Sequence, residues 1–94
     1  MITRVREFVI DNVKKFNNEI SIDDIKEYNN DKLELVLSTD EYMASLSILS
    51  DYTYDFLAVE IVSENIVMNN TETCNNIEVL YSKLEEYIFK FSRL

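Results

Sequence analysis

The chain contains no glycine and no proline. Every reversal of its backbone must be made by residues that carry a Cβ, and among these Asn and Asp tolerate the left-handed region best. The candidate turns are Asn29-Asn30-Asp31, Asp40-Glu41, Asp51-Tyr52-Thr53, Ser63-Glu64-Asn65 and Asn69-Asn70. Glycine-rich phosphate loops and calcium loops that bend at a glycine are excluded together. Histidine is also missing, which removes histidine-based triads, histidine-ligated metals and the usual near-neutral general base. The single cysteine, Cys74, cannot close an internal disulfide and fits a reducing compartment. A helix N-terminus beside it could lower its pKa, but no base stands near it in sequence, so it reads as structural. Long apolar runs are lacking too: near the N-terminus the longest is Phe8-Val9-Ile10, far short of a signal-peptide core or a membrane span. A cytoplasmic location is expected.

Positive charge is scarce. Nine Lys and Arg stand against eighteen Asp and Glu, for a net charge of -9. The scarcity is also local, because the chain from Leu33 to Ser82 holds no lysine or arginine at all. Such a field disfavours nucleic acid and anionic membrane and favours either a basic partner or simple solubility. The 94 residues form one domain, 1–94, near the lower limit for a self-sufficient core, so a dimer or a tight partner would be a natural supplement. With 47% hydrophobic residues the chain is expected to fold.

Ile2, Val5, Val9, Val13 and Phe16 recur at steps of three and four, which predicts an amphipathic helix from about Thr3 to Asn17, with Thr3 as N-cap and Asn17-Asn18 as the stop. Glu19 to Tyr28 gives a mixed signal, with Ile20 and Ile22 alternating as in a strand and Ser21 to Asp24 able to cap a short helix. A strand is the preferred reading. Lys32–Thr39 places Leu33, Leu35 and Leu37 on one face of a strand, and Tyr42–Ser50 does the same with Ala44, Leu46 and Ile48. Tyr54–Val62 is a further strand in which Phe56 and Ala58 compete with Leu57, Val59 and Ile61 for the inward side. Ile66-Val67-Met68 reads as a short edge strand, followed by a polar stretch. Asn75 and Glu78 have capping-box spacing ahead of a stripe of Ile77, Leu80, Tyr81, Leu84, Ile88 and Phe91, the second helix.

Links of about three residues cannot make parallel crossovers, so the strands form an antiparallel meander. The expected fold is α+β, an N-terminal helix, four to five meander strands and a C-terminal helix, with both helices on one face of the sheet. The other face would then present Glu34, Val36, Ser45, Ser47 and Leu49 with part of the fourth strand, a mixture of acidic and apolar groups typical of a partner surface. The alternative is that terminal segments cover it.

The acid pairs Asp23-Asp24, Asp40-Glu41 and Glu85-Glu86 lack ligand spacing and read as solvated turns or helix surface. Tyr42, Tyr52 and Tyr54 lie where phosphate would be repelled, so they belong to the core or to a protein interface rather than to base stacking. No metal, cofactor or enzymatic activity is expected.

The run Asp40-Glu41-Tyr42-Met43-Ala44-Ser45-Leu46-Ser47-Ile48, then Tyr54-Asp55-Phe56 leading into Val59-Glu60-Ile61, then a turn, a short strand and a Glu-rich helix, resembles the small bacterial immunity proteins of the TriTu family. The similarity covers roughly residues 33–92. Members usually carry glycine in the turns that here read Asp51-Tyr52-Thr53 and Ser63-Glu64-Asn65. The resemblance implies a cytoplasmic antidote to a cognate toxin, delivered by a neighbouring bacterium or made by the same cell, and brings no catalytic or binding residues with it. On charge and exposure the expected contact residues are Asp40, Glu41, Asp51, Asp55, Glu60 and Glu64, with Leu57 and Val59 as apolar anchors, facing a basic cleft such as that of a nuclease toxin. Two other readings stand beside it: a nucleic-acid mimic whose carboxylates form a regular double row, and a module that homodimerises through the open sheet face.

Overall fold

A computed structural model describes residues 1–16 and 18–94. The expected helix end at Asn17 lies outside the described residues. The elements run α1 (Ile2–Lys14), β1 (Ser21–Tyr28), β2 (Lys32–Ser38), β3 (Tyr42–Leu49), β4 (Thr53–Glu60), β5 (Ile66–Thr73) and α2 (Ile77–Ser92). The strands form one antiparallel sheet in the order β1-β2-β3-β4-β5, with α1 and α2 packed together over one face. The α+β architecture is the one expected, and residues 19–28 supply a strand.

Alternation decides which side is buried. Leu33, Leu35 and Leu37 of β2, Ala44, Leu46 and Ile48 of β3, and Tyr54, Phe56 and Ala58 of β4 face the helices and are buried. The fourth strand therefore turns Leu57 and Val59 to the open side. From the helices come Ile2, Val5, Val9 and Val13, and Leu80, Leu84, Ile88 and Phe91. Phe8 stacks on Tyr81 with ring centroids 4.0 Å apart, and Phe16 meets Phe89 at 6.3 Å. Both contacts advance by eight residues in each segment, with Phe16 just beyond the end of α1, so α1 and α2 run side by side in the same direction.

Three local expectations are corrected. Helix α1 begins at Ile2 with Met1 in the cap position and no side-chain cap, so Thr3 lies inside the first turn. Ile2 is fully buried, and its burial outweighs the capping preference of Thr3. The cap of α2 is Asn76, not Asn75; its Oδ1 accepts the Val79 N–H at 2.9 Å. Cys74, held by its N–H to the Tyr52 carbonyl at 2.9 Å, sets that later start. Finally β5 runs for eight residues and Asn69-Asn70 is not a turn. Its polar half is held by β4: Thr73 bonds Thr53 between hydroxyls at 2.8 Å, the Thr71 hydroxyl donates to Asp55, and the Tyr54 hydroxyl donates to Glu72 and accepts from the Asn70 amide.

Three non-glycine residues adopt positive φ: Asn29 (56°), Tyr52 (70°) and Glu64 (63°). Asn29 was the type of residue anticipated. Tyr52 and Glu64 take the strained conformation because no glycine is present to take it.

Candidate functional site

The open sheet face and one end of the sheet carry most of the unsatisfied chemistry. In a meander successive turns alternate ends. The pairings Ser21 with Ser38, Ser38 with Met43, Met43 with Val59 and Val59 with Ile66 define one end, which holds the β2–β3 and β4–β5 turns together with the C-terminal ends of both helices. Asp40, Glu41, Glu60 and Glu64 are gathered there. Asp51 lies in the β3–β4 turn at the opposite end, and Asp55 sits midway along the open face between Ser47 and Thr71. The structure thus brings four of the six anticipated carboxylates together and separates the other two.

One backbone bond joins the two turns, the Ile61 N–H donating to the Glu41 carbonyl at 2.9 Å, while the Glu60 N–H closes the β4–β5 turn by donating to the Asn65 carbonyl at 2.9 Å. The β2–β3 turn is tightened by Thr39, whose hydroxyl accepts the Tyr42 N–H at 3.1 Å and whose N–H reaches the Tyr42 carbonyl at 2.8 Å. The carboxylate of Glu60 accepts from the Ser63 hydroxyl. The ion pairs of the described residues, Arg6–Glu27, Lys26–Asp24, Lys32–Glu34, Lys83–Glu72 and Lys90–Glu86, use none of the six carboxylates. Asp51 is stabilised instead by Thr53, whose hydrogen bonds hold its carboxyl below the usual range. A recess of about 270 Å³ opens at the acidic end on the helix side, with Glu19, Asp40, Glu41 and Tyr42 facing Phe91 and Ser92.

Apolar groups border the same end on the open face. Met43, Val59 and Ile66 lie in one register row, and Leu57 lies between Ser45 and Asn69 in the next. Ile66 is 62% exposed and Val62, in the β4–β5 turn, 94%. Leu57 and Val59 occur here as anticipated anchors. Met43, Ile66 and Val62 went unnamed as contacts, although the alternation of β3 and the Ile66-Val67-Met68 run already contained the signal.

Elsewhere, a groove of about 430 Å³ between the helices is lined by Asn12, Lys15, Phe16, Glu85, Glu86 and Phe89, of mixed charge. Cys74 is buried, and burial pushes its thiol pKa up, the reverse of nucleophilic activation. No group of three or more metal-ligating side chains occurs among the described residues, and no described helix is long and apolar enough to cross a membrane. No protein-family model, curated protein or solved structure matches the chain.

Proposed function

We propose that the protein is an immunity protein, an antidote that binds a basic protein toxin and occludes its active or substrate-binding site. The observation that carries this reading is the juxtaposition at one sheet end of Asp40, Glu41, Glu60 and Glu64, free of ion pairs among the described residues, with the open-face row of exposed Met43, half-buried Val59 and exposed Ile66. An apolar centre bounded by charge is the usual anatomy of a protein interface. The acids steer a basic partner and set its orientation, while the apolar row supplies desolvated contact area. The recess beside Asp40 and Glu41 suits the tip of a partner's lysine or arginine. The resemblance of the Asp40 to Ile61 stretch to TriTu immunity proteins points the same way.

The nucleic-acid-mimic reading has less support, because it asks for a regular double row of carboxylates and the acids here cluster at one end with Asp51 at the other.

The test is co-purification with the product of the adjacent gene at low and high salt, with toxin activity assayed in the complex. Binding that weakens as salt rises, slower association for Glu41→Gln, and faster dissociation for Val59→Ser are expected. A complex indifferent to salt would sink the electrostatic half of the proposal.

A further inference from the structure

The two edges of the sheet are protected very differently. Strand β1 has the sequence Ser21-Ile-Asp-Asp-Ile-Lys-Glu-Tyr28, carries four charged residues and is broken by a bulge between Ile22 and Asp24. Charges and bulges are how natural sheets stop an edge from pairing with another chain. Strand β5 has neither along most of its length. Its irregularity lies at Val67, next to the β4–β5 turn, which leaves Met68 to Thr73 regular. Its one charged residue, Glu72, is turned to the helix side and paired with Lys83 at 3.8 Å. Beyond the ladder with β4, no backbone N–H or C=O of Ile66–Thr73 has a hydrogen-bond partner among the described residues.

We infer that the β5 edge pairs with the β5 edge of a second copy of this chain, in antiparallel register about a twofold axis at Asn70, giving a continuous ten-stranded sheet. Strands of two identical copies with their helices on the same side can pair only residues of like facing. This register places Asn69 opposite Thr71 of the second copy, Met68 opposite Glu72, and Asn70 opposite itself. No like charges meet across the axis, whereas a self-paired β1 would bring acids into a shared edge. Antiparallel pairing also sends the two acidic ends, with Asp40, Glu41, Glu60 and Glu64, in opposite directions, so a chain of net charge -9 associates with its strongest repulsions far apart. A basic peptide is a poorer occupant, since the edge offers it only Glu72, already engaged by Lys83. The open-face row of Met43, Val59 and Ile66 stays uncovered, so this contact is independent of the proposed toxin surface.

Light scattering across a dilution series, with amide hydrogen exchange at both ends of it, tests the inference. The mass should double with concentration, and alternate amides of Met68–Thr73 should exchange more slowly in the dimer alone. Asn69→Lys sets a lysine diagonally across the twofold axis from its counterpart, near the centre of the contact, and should raise the dimer dissociation constant by about tenfold. Ser45→Lys, in the middle of the open face, should leave it unchanged. The inference is overturned by a chain that stays monomeric at every soluble concentration, or by a dimer whose β5 amides exchange as fast as the monomer's. It is equally overturned by a dimer that survives Asn69→Lys in folded form or dissociates with Ser45→Lys. Should Asn69→Lys fail to fold, the exchange pattern of the wild-type dimer decides.

Discussion

Tyr81 stacks on Phe8 through its ring, but its hydroxyl is buried without a hydrogen-bond partner among the described residues. A buried polar group left unpaired costs free energy that deletion recovers. Tyr81→Phe keeps the stack and should raise stability by about 1 kcal/mol, read from the urea midpoint at unchanged slope. Tyr54 is the opposite case, fully buried with its hydroxyl held between Glu72 and Asn70. Burial first, and then the hydrogen bond and charge of Glu72, raise its pKa well above the ordinary value of 10.0. The folded state thus holds a proton that the unfolded chain gives up above that value. Its contribution to stability is fully present below the unfolded pKa and is lost as pH rises toward the folded one. Tyr54→Phe should be less stable near neutrality by about 1–2 kcal/mol, because Asn70 and Glu72 lose a partner. It should also lose part of the steep alkaline fall. Denaturation monitored by circular dichroism beside tyrosinate absorbance separates the two effects, and identical alkaline limbs in both proteins would count against this account.

Helix α2 spans the domain over β4, with Tyr87 against Tyr54 and Phe56, and its start depends on one side chain. Asn76→Ala removes the acceptor of the Val79 N–H and should cost about 1 kcal/mol, while Asn75→Ala should be near neutral. Equal effects at both positions would mean that the helix start slides between them. That distinction marks how far the elements were legible. Strands β2 and β3 were readable because each has one buried and one wet face, and the period of two states which is which. In β4 both faces are apolar, so the period is silent, and only the packing of Tyr54 and Phe56 on α2 decides. The second half of β5 was illegible for another reason. Asn69 to Thr73 have the composition of a loop, and what makes them a strand is a set of hydroxyl, amide and carboxyl partners on β4 that no local pattern reveals. The positive φ at Tyr52 and Glu64 belongs with these, since turn geometry demanded a conformation that residue type disfavoured.

For the whole molecule, what matters is where the acids end up. In sequence the segment Leu33 to Ser82 reads as a single field without a base. Folding divides it, because consecutive turns of a meander point to opposite ends, and the stretch between them alternates faces. That division follows from topology and could have been applied to Asp51 from the sequence alone. What remains is a pole where Asp40, Glu41, Glu60 and Glu64 meet the C-terminal ends of two parallel helices, which carry the negative end of the helix dipole. No ion pair among the described residues relieves it. Lys14 and Lys90 in the last turns of the helices stand at the same end without an ion pair to these four carboxylates, whose mutual repulsion still works against the folded state. In the unfolded chain these carboxylates lie further apart. Neutralising Asp40→Asn or Glu41→Gln should therefore stabilise the free protein by about 0.5 kcal/mol in low-salt urea denaturation. The gain should shrink as salt is added and the repulsion is screened. The same substitutions should slow association with a basic partner. If the pole exists for binding, stability and association rate must move in opposite directions in these two variants. If both fall together, the carboxylates are supporting the fold, and the surface proposed for the toxin has to be sought elsewhere.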